Sequence, residues 1–300
     1  MVLYFRNAYL SSKESYKYPP PGILIDIEGK KLHLSINGNG KDKIVLLSGF
    51  GTPCPLIDFK NLITKLEDEF TVITVDNLGY GWSDLTDSPR SSSSIIEENR
   101  LALKKAGIQP PYTIVPHSIS GLYSLFYANK YPDEIKAVVG IDISVPEQFK
   151  CTPKEKIPEY LGLLRRLGIL RLLIDISPSL INNFMKNISN DDKDLLKTMI
   201  CRNVINHTVI NEYQSMDANA DIMSKIHFPD KIPVTLIVSS FNENNSKREG
   251  WKKSWELLHK ELISNDTSDT VIFMNGNHYL HHDNADKIAV IIKETISKAK

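Results

Sequence analysis

The chain has 300 residues, 41% of them hydrophobic, which is enough for one α/β domain with an insertion, or two small domains, around a substantial core. Lysine plus arginine and aspartate plus glutamate each total 36, so the formal net charge is zero. That balance removes the bulk electrostatic case for nucleic acid or an anionic membrane and leaves a small molecule as the expected partner. Cys54, Cys151 and Cys201 are too scattered for a disulfide framework or a metal site of recognisable spacing. No apolar run approaches the length of a membrane span, and the first residues lack a signal-peptide cleavage pattern.

Residues 1–20 are polar and aromatic without periodicity and run into Pro19-Pro-Pro-Gly22, so 1–22 is expected to be an extended arm or linker. Ile23–Ile27 and Lys31–Ile36 are short β-like runs joined by Glu28-Gly-Lys30, a hairpin pattern. Lys43–Ser48 is a continuous apolar run, as in a strand buried on both faces, and it opens into Gly49-Phe-Gly-Thr-Pro-Cys-Pro55. A helix over 56–69, the strand Thr71–Val75 and the turn Asp76-Asn-Leu-Gly-Tyr-Gly-Trp-Ser-Asp84 follow. A helix over 91–107 precedes the run Tyr112–Pro116, which stops at His117-Ser118-Ile119-Ser120-Gly121 and gives way to helical spacing up to 131. Ile135–Ile141 is another buried strand, and it ends in the carboxylate of Asp142.

After Val145-Pro146 the strand pattern disappears. Residues 147–231 hold only helix-like segments, among them Tyr160–Ile174, where leucines and arginines alternate at helical spacing. Strands resume at Ile232–Val238, then a helix over 247–264, the strand Thr270–Met274, the loop Asn275-Gly-Asn-His278-Tyr-Leu-His-His-Asp283 and a last helix over 285–299. Alternating strands and helices imply a mostly parallel sheet flanked by helices. The expected units are therefore the arm, 1–22; a core made of 23–146 and 232–300; and a helical cap, 147–231, inserted after the sixth core strand.

The stretch 116–121 has the form small-x-Ser-x-small between a strand and a helix. Such an elbow raises a serine hydroxyl above the sheet beside the N–H of the next residue, so nucleophile and oxyanion donor are adjacent. It resembles the elbow of the α/β-hydrolase superfamily, Gly-x-Ser-x-Gly, with Pro116 and Ser120 in the places of the two glycines. Asp76-x-x-Gly-Tyr-Gly-x-Ser-Asp84 and Gly276-x-His-Tyr-Leu-His281 are similar to that superfamily's turn and histidine loop, in the superfamily's order. The resemblance covers about 23–299.

It implies an α/β-hydrolase fold with Ser118 as nucleophile, His278 as base, and the Phe50 and Ile119 N–H groups as oxyanion donors. Ser48 stands where the family usually has histidine. Most members carry the acid at a position matching Asn242, but an amide cannot stabilise an imidazolium. The acid is therefore expected at Asp142, which ends its strand directly, with Glu243 as the alternative that needs a loop shift. Asp76 and Asp84 read as turn residues holding backbone amides. Trp82, Phe50 and Leu161 are candidate pocket residues.

The implied activity is cleavage of a carboxylic ester or related acyl bond by a carboxylesterase- or lipase-like enzyme, without a cofactor. A peptidase of the same superfamily, or a binding protein that keeps the fold without turnover, are the alternatives. A metal site from His278, His281 and His282 lacks an acidic partner and His-x-x-x-His spacing, so no metal is expected. The oligomeric state is open. The expected location is the cytoplasm; membrane contact is expected only through an interfacial lid or through an anchor upstream, which would make the protein extracytoplasmic.

Overall fold

The computed structural model describes residues 1–151, 157–158, 160–182, 188–249, 251–263 and 269–299. Eight strands form one sheet: β1 (Ile23–Ile27), β2 (Lys30–Asn37), β3 (Lys43–Leu47), β4 (Thr71–Asp76), β5 (Tyr112–Pro116), β6 (Ile135–Ile141), β7 (Val234–Ser239) and β8 (Thr270–Met274), in the order β1-β2-β4-β3-β5-β6-β7-β8. The hairpin β1–β2 joins antiparallel to β4, and every other pairing is parallel. Strands β5 and β7 are buried along their whole length. That is why they read as continuous apolar runs: helices cover both faces of a parallel sheet.

Helices α2 (Pro55–Asp58), α3 (Lys60–Leu66), α4 (Ser92–Lys105) and α5 (Ser120–Lys130) connect the strands up to β6. The expected helix over 56–69 is thus two helices, broken at Phe59, which has ψ near 3°. Helix α4 starts where Ser91 accepts the Ser94 N–H, a cap contributing about 1 kcal/mol. Between β6 and β7 the described residues form helices only: α6 (Gln148–Cys151), α7 (Tyr160–Arg166), α8 (Ile169–Ile176), α9 (Asn190–Asn203) and α10 (His207–Met223), with a short 3₁₀ turn at Pro178–Ile181. Of the expected cap, 152–156, 159 and 183–187 lie outside the described residues. No helix among the described residues is long and apolar enough to cross a membrane.

Two further expectations need correction. The N-terminal segment is not an extended arm: α1 spans Val2–Lys17. It has no apolar stripe, because none of its residues is buried; it is held instead by polar contacts to α8. Arg171, buried in α8, donates to Asn7 Oδ1 and to both oxygens of Glu14, and Arg6 pairs with Asp175 at 2.8 Å. In α8, Arg171 is buried beside Ile174, while Leu173 and Ile176 are exposed.

The helix expected over 247–264 is two helices, α11 (Ser240–Arg248) and α12 (Trp255–Lys260). Ser239 and Ser254 cap them, accepting from Asn242 N and Leu257 N; residues 250 and 264 are outside the described set. The chain ends in α13 (Leu280–Asp283) and α14 (Ala285–Lys298), the latter burying Ile288, Ile292 and Ile296 against the sheet. Each such side chain contributes about 1.5–3 kcal/mol.

Candidate active site

Ser118 sits between β5 and α5 with φ of 54°, in the left-handed region that a non-glycine residue enters at a cost of about 1–3 kcal/mol. The turn is held from several sides. Ser118 N donates to Ile141 O, while Ser118 O accepts from Gly121 N at 2.9 Å and Ser144 N at 2.7 Å. The two departures from the glycine pattern fit this frame. Pro116 closes β5 opposite Leu47, and the buried Ser120 hydroxyl donates to Ser48 O at 2.6 Å, tying the elbow to the end of β3. Gly121 has no room for a side chain, since a Cβ there would stand 2.6 Å from Ile143 Cβ and 2.7 Å from Ser144 O. His117, Ile119 and Ser120 are buried, whereas Ser118 remains partly accessible.

The loop after β3 passes directly against this elbow. A Cβ on Gly49 would lie 3.0 Å from Ser118 Cβ and 2.8 Å from His117 Nδ1, so only glycine allows the approach. Among the described residues neither Phe50 N–H nor Ile119 N–H has a hydrogen-bond partner, unlike the N–H groups of Gly51, Ser118 and Ser120. Gly51 N–H, for instance, donates to the Tyr80 hydroxyl at 3.0 Å. That hydroxyl donates onward to Glu212 Oε2 at 2.7 Å, and Tyr123 donates to Glu212 Oε1 at 2.6 Å. Glu212 belongs to α10, so a buried carboxylate from the helical insertion braces the loop. Phe50 also meets the insertion, its ring 5.6 Å from that of Tyr213.

His278 follows β8, and its Nε2 lies 2.9 Å from Ser118 Oγ. Its Nδ1 lies 2.7 Å from Asp142 Oδ2. With the Nδ1 proton toward the carboxylate, the Nε2 lone pair is free to accept from the serine. Asp142, at φ of 43° just past β6, is fully buried and collects four more donors. Ser239 N–H and the Trp255 indole donate to Oδ1, both at 2.8 Å, and the Ser239 hydroxyl and Asn242 Nδ2 donate to Oδ2 at 2.8 and 2.6 Å. Burial alone would raise this carboxyl, but the His278 hydrogen bond and charge, with Ser239 and Trp255, outweigh it and hold the pKa below the ordinary value.

Glu243 is turned elsewhere. Its carboxylate accepts Glu256 N–H at 2.9 Å and pairs with Lys247, which caps α12 rather than reaching His278. Asn242, the amide at the other acid position, supports Asp142 and lies 3.2 Å from His278 Nδ1. Sequence reasoning missed Ser239, Trp255, Tyr80, Tyr123 and Glu212. Tyr80 lies in the Gly-Tyr-Gly turn, but its contacts, like those of the other four, are to partners far away in the chain.

Trp82 is buried, its indole donating to Tyr18 O and its ring grouped with Cys54, Ile57, Leu196 and Met199. Leu161 is half-buried on α7. Asp76 accepts Trp82 N–H and Asp84 accepts Lys31 N–H, as turn residues do. The three loop histidines part ways: His278 faces Asp142, while His281 and His282 face Asp58. Cys54 and Cys201 are free and buried.

The family model described as alpha/beta hydrolase fold matches residues 43–197, more than half of the chain. An uncharacterised Bacillus subtilis protein, YbdG, is 27% identical over 96% of this chain and 90% of its own length. The bovine (lyso)-N-acylphosphatidylethanolamine lipase is 24% identical over 65% of this chain and 63% of its own. Among solved structures, a mutant of a putative epoxide hydrolase from Pseudomonas aeruginosa superposes with a TM-score of 0.71 at 13% identity, covering 92% of this chain and 96% of that one. Cfl2 from Burkholderia cenocepacia gives 0.69 at 15% identity, over 91% and 94%. With the sheet order, the elbow and the matched span in agreement, the chain belongs to the α/β-hydrolase family as an enzyme of that type.

Proposed function

We propose that the protein is a serine hydrolase that cleaves a carboxylic ester or related acyl bond through an acyl-enzyme intermediate. The observation that carries the reading is the chain of contacts from Ser118 Oγ to His278 Nε2, 2.9 Å, and from His278 Nδ1 to Asp142 Oδ2, 2.7 Å. In this reading His278 takes the Ser118 proton as the oxygen attacks the acyl carbon. The Phe50 and Ile119 N–H groups stabilise the oxyanion, and the imidazolium returns the proton to the leaving group. Water, activated by the same histidine, then releases the acid. No cofactor enters.

A serine also separates this reading from chemistry at saturated carbon. Haloalkane dehalogenase and epoxide hydrolase are names found among the relatives and solved structures. Attack by a serine on such a carbon would leave an ether, which the histidine and water cannot open, whereas an acyl-serine ester hydrolyses readily. The helices of 147–231 act as the lid. In this reading the leucine-rich stretch 160–174, with Leu161, and the Phe50 side chain form an apolar wall that favours acyl groups over charged substrates.

The test is labelling with a fluorophosphonate probe alongside hydrolysis of short p-nitrophenyl esters. Wild type should be labelled at Ser118 and turn over, and Ser118→Ala should do neither. A folded wild type that stays unlabelled, or is labelled at Ser120, would overturn the assignment.

A further inference from the structure

We propose that Asp58, His281 and His282 form a binding site for one divalent transition-metal ion of the zinc type, on the same loop as His278 but separate from its contacts with Ser118 and Asp142. One oxygen or ring nitrogen from each residue lies within 4.8 Å of the others. The carboxylate and the two imidazoles come from opposite ends of the chain: α2 directly follows the Gly49–Pro55 loop, and α13 directly follows His278. His282 Nε2 lies 2.8 Å from Asp58 Oδ1.

The His281 side is where protein partners fail. Its Nε2 is 3.2 Å from Asp58 Oδ2, yet the contact is not aligned as a hydrogen bond, and both atoms are buried without any other partner. The His281 ring is wholly inaccessible, and its Nδ1 is unpartnered as well. Buried polar atoms are rarely left in this state, because each costs about 1–3 kcal/mol. At 3.2 Å and out of alignment, an anionic oxygen and the unprotonated nitrogen of an imidazole both offer lone pairs, and a cation between them satisfies both.

The donor set selects the ion. Two imidazoles and one carboxylate suit zinc and its neighbours, with a fourth position for water; calcium and magnesium prefer oxygen ligands throughout. The neighbourhood gives the ion a consequence. His281 packs 4.8 Å from the His117 ring, which in turn lies 4.7 Å from that of His278 and reaches His278 O at 3.1 Å. An ion here ties the loop carrying the base to the helix that follows the Phe50 loop.

The experiment uses the untagged full chain, loaded with zinc sulfate, desalted, and analysed for metal by mass spectrometry and by titration calorimetry. One equivalent of zinc per chain should be retained, and zinc should raise the melting temperature. His282→Ala, a change at a partly exposed ring, and the near-isosteric Asp58→Asn should each weaken binding by about 100-fold or more and abolish the thermal shift. His227→Ala, at an exposed histidine elsewhere, should retain the full equivalent. Failure of wild type to retain zinc, retention unchanged in folded His282→Ala and Asp58→Asn, calcium held as tightly as zinc, or loss of binding only in His278→Ala would each overturn the proposal.

Discussion

Two buried carboxylates flank the candidate site, one from the sheet and one from the helical insertion, and their surroundings push them in opposite directions. Asp142 ends β6 and accepts from five groups: a backbone N–H, a serine hydroxyl, an amide, an indole and an imidazole. Glu212 is as deeply buried but, among the described residues, accepts from two tyrosine hydroxyls only. Burial dominates there and raises the Glu212 carboxyl above its ordinary value, against the two phenols and the charge of Arg90. Depth does not decide which way an acid's pKa moves; the number and kind of donors does. In the proposed mechanism the first carboxylate stabilises an imidazolium; the second bridges an insertion helix to the loop bearing Phe50.

The sharpest way to break the comparison is to remove the charge from Asp142. Replacing the carboxylate of such a triad by an amide costs on the order of 10⁴ in turnover, so Asp142→Asn should be nearly inactive in the ester assay. Glu243→Gln should keep most of its activity, because Glu243 faces Lys247 and the start of α12. The reverse result would move the acid to the β7 side. A sharper form follows from Asn242, whose amide nitrogen lies 3.2 Å from His278 Nδ1. Asp142→Asn combined with Asn242→Asp restores a carboxylate beside that nitrogen and should recover turnover above the single variant. A double variant that stays folded but no better would show that Asp142's strand-end position, and not its charge alone, is required.

On the other side the expected effects are smaller. Tyr80→Phe leaves Gly51 N–H without its acceptor and Glu212 with one phenol fewer. Losing such a bond costs about 1–3 kcal/mol. In the present reading part of this falls on the oxyanion loop, so kcat should drop by about tenfold, with KM little changed. A fall in stability with unchanged kcat would mean that the brace serves the insertion alone.

How much of this was legible in the sequence follows from where each group sits. Ser118, Asp142 and His278 stand at the carboxyl ends of β5, β6 and β8, where a continuous apolar run ends abruptly in a polar residue, so the pattern marks them locally. The groups around Asp142 are 97, 100 and 113 residues away, at Ser239, Asn242 and Trp255; Asn242 is marked by its match to the usual acid position, but nothing near Ser239 or Trp255 in the chain announces the contact. Asp58 escapes for the same reason, 224 residues from His282. The N-terminal helix escapes for another. Periodicity detects helices that bury an apolar stripe, and α1 docks through Arg171 and Glu14 instead.

The last expectation concerns stability against pH, where the two acids should leave opposite signs. Asp142 is lowered from 3.8, so below its folded pKa both states are protonated and its contribution vanishes. As pH rises toward 3.8 the folded state ionises first, and wild type gains stability over Asp142→Asn until the difference levels off above that value. Glu212 is raised from 4.5, so the unfolded chain ionises first as pH climbs past that value. Wild type should therefore lose stability relative to Glu212→Gln from 4.5 upward, until the folded carboxyl titrates as well. Each slope sums to about 1.4 kcal/mol for every unit by which the folded and unfolded pKa values differ. Denaturant unfolding of the three proteins between acid and neutral pH measures both differences. Slopes of the same sign would mean that the two phenols on Glu212 hold its charge as the five donors hold that of Asp142.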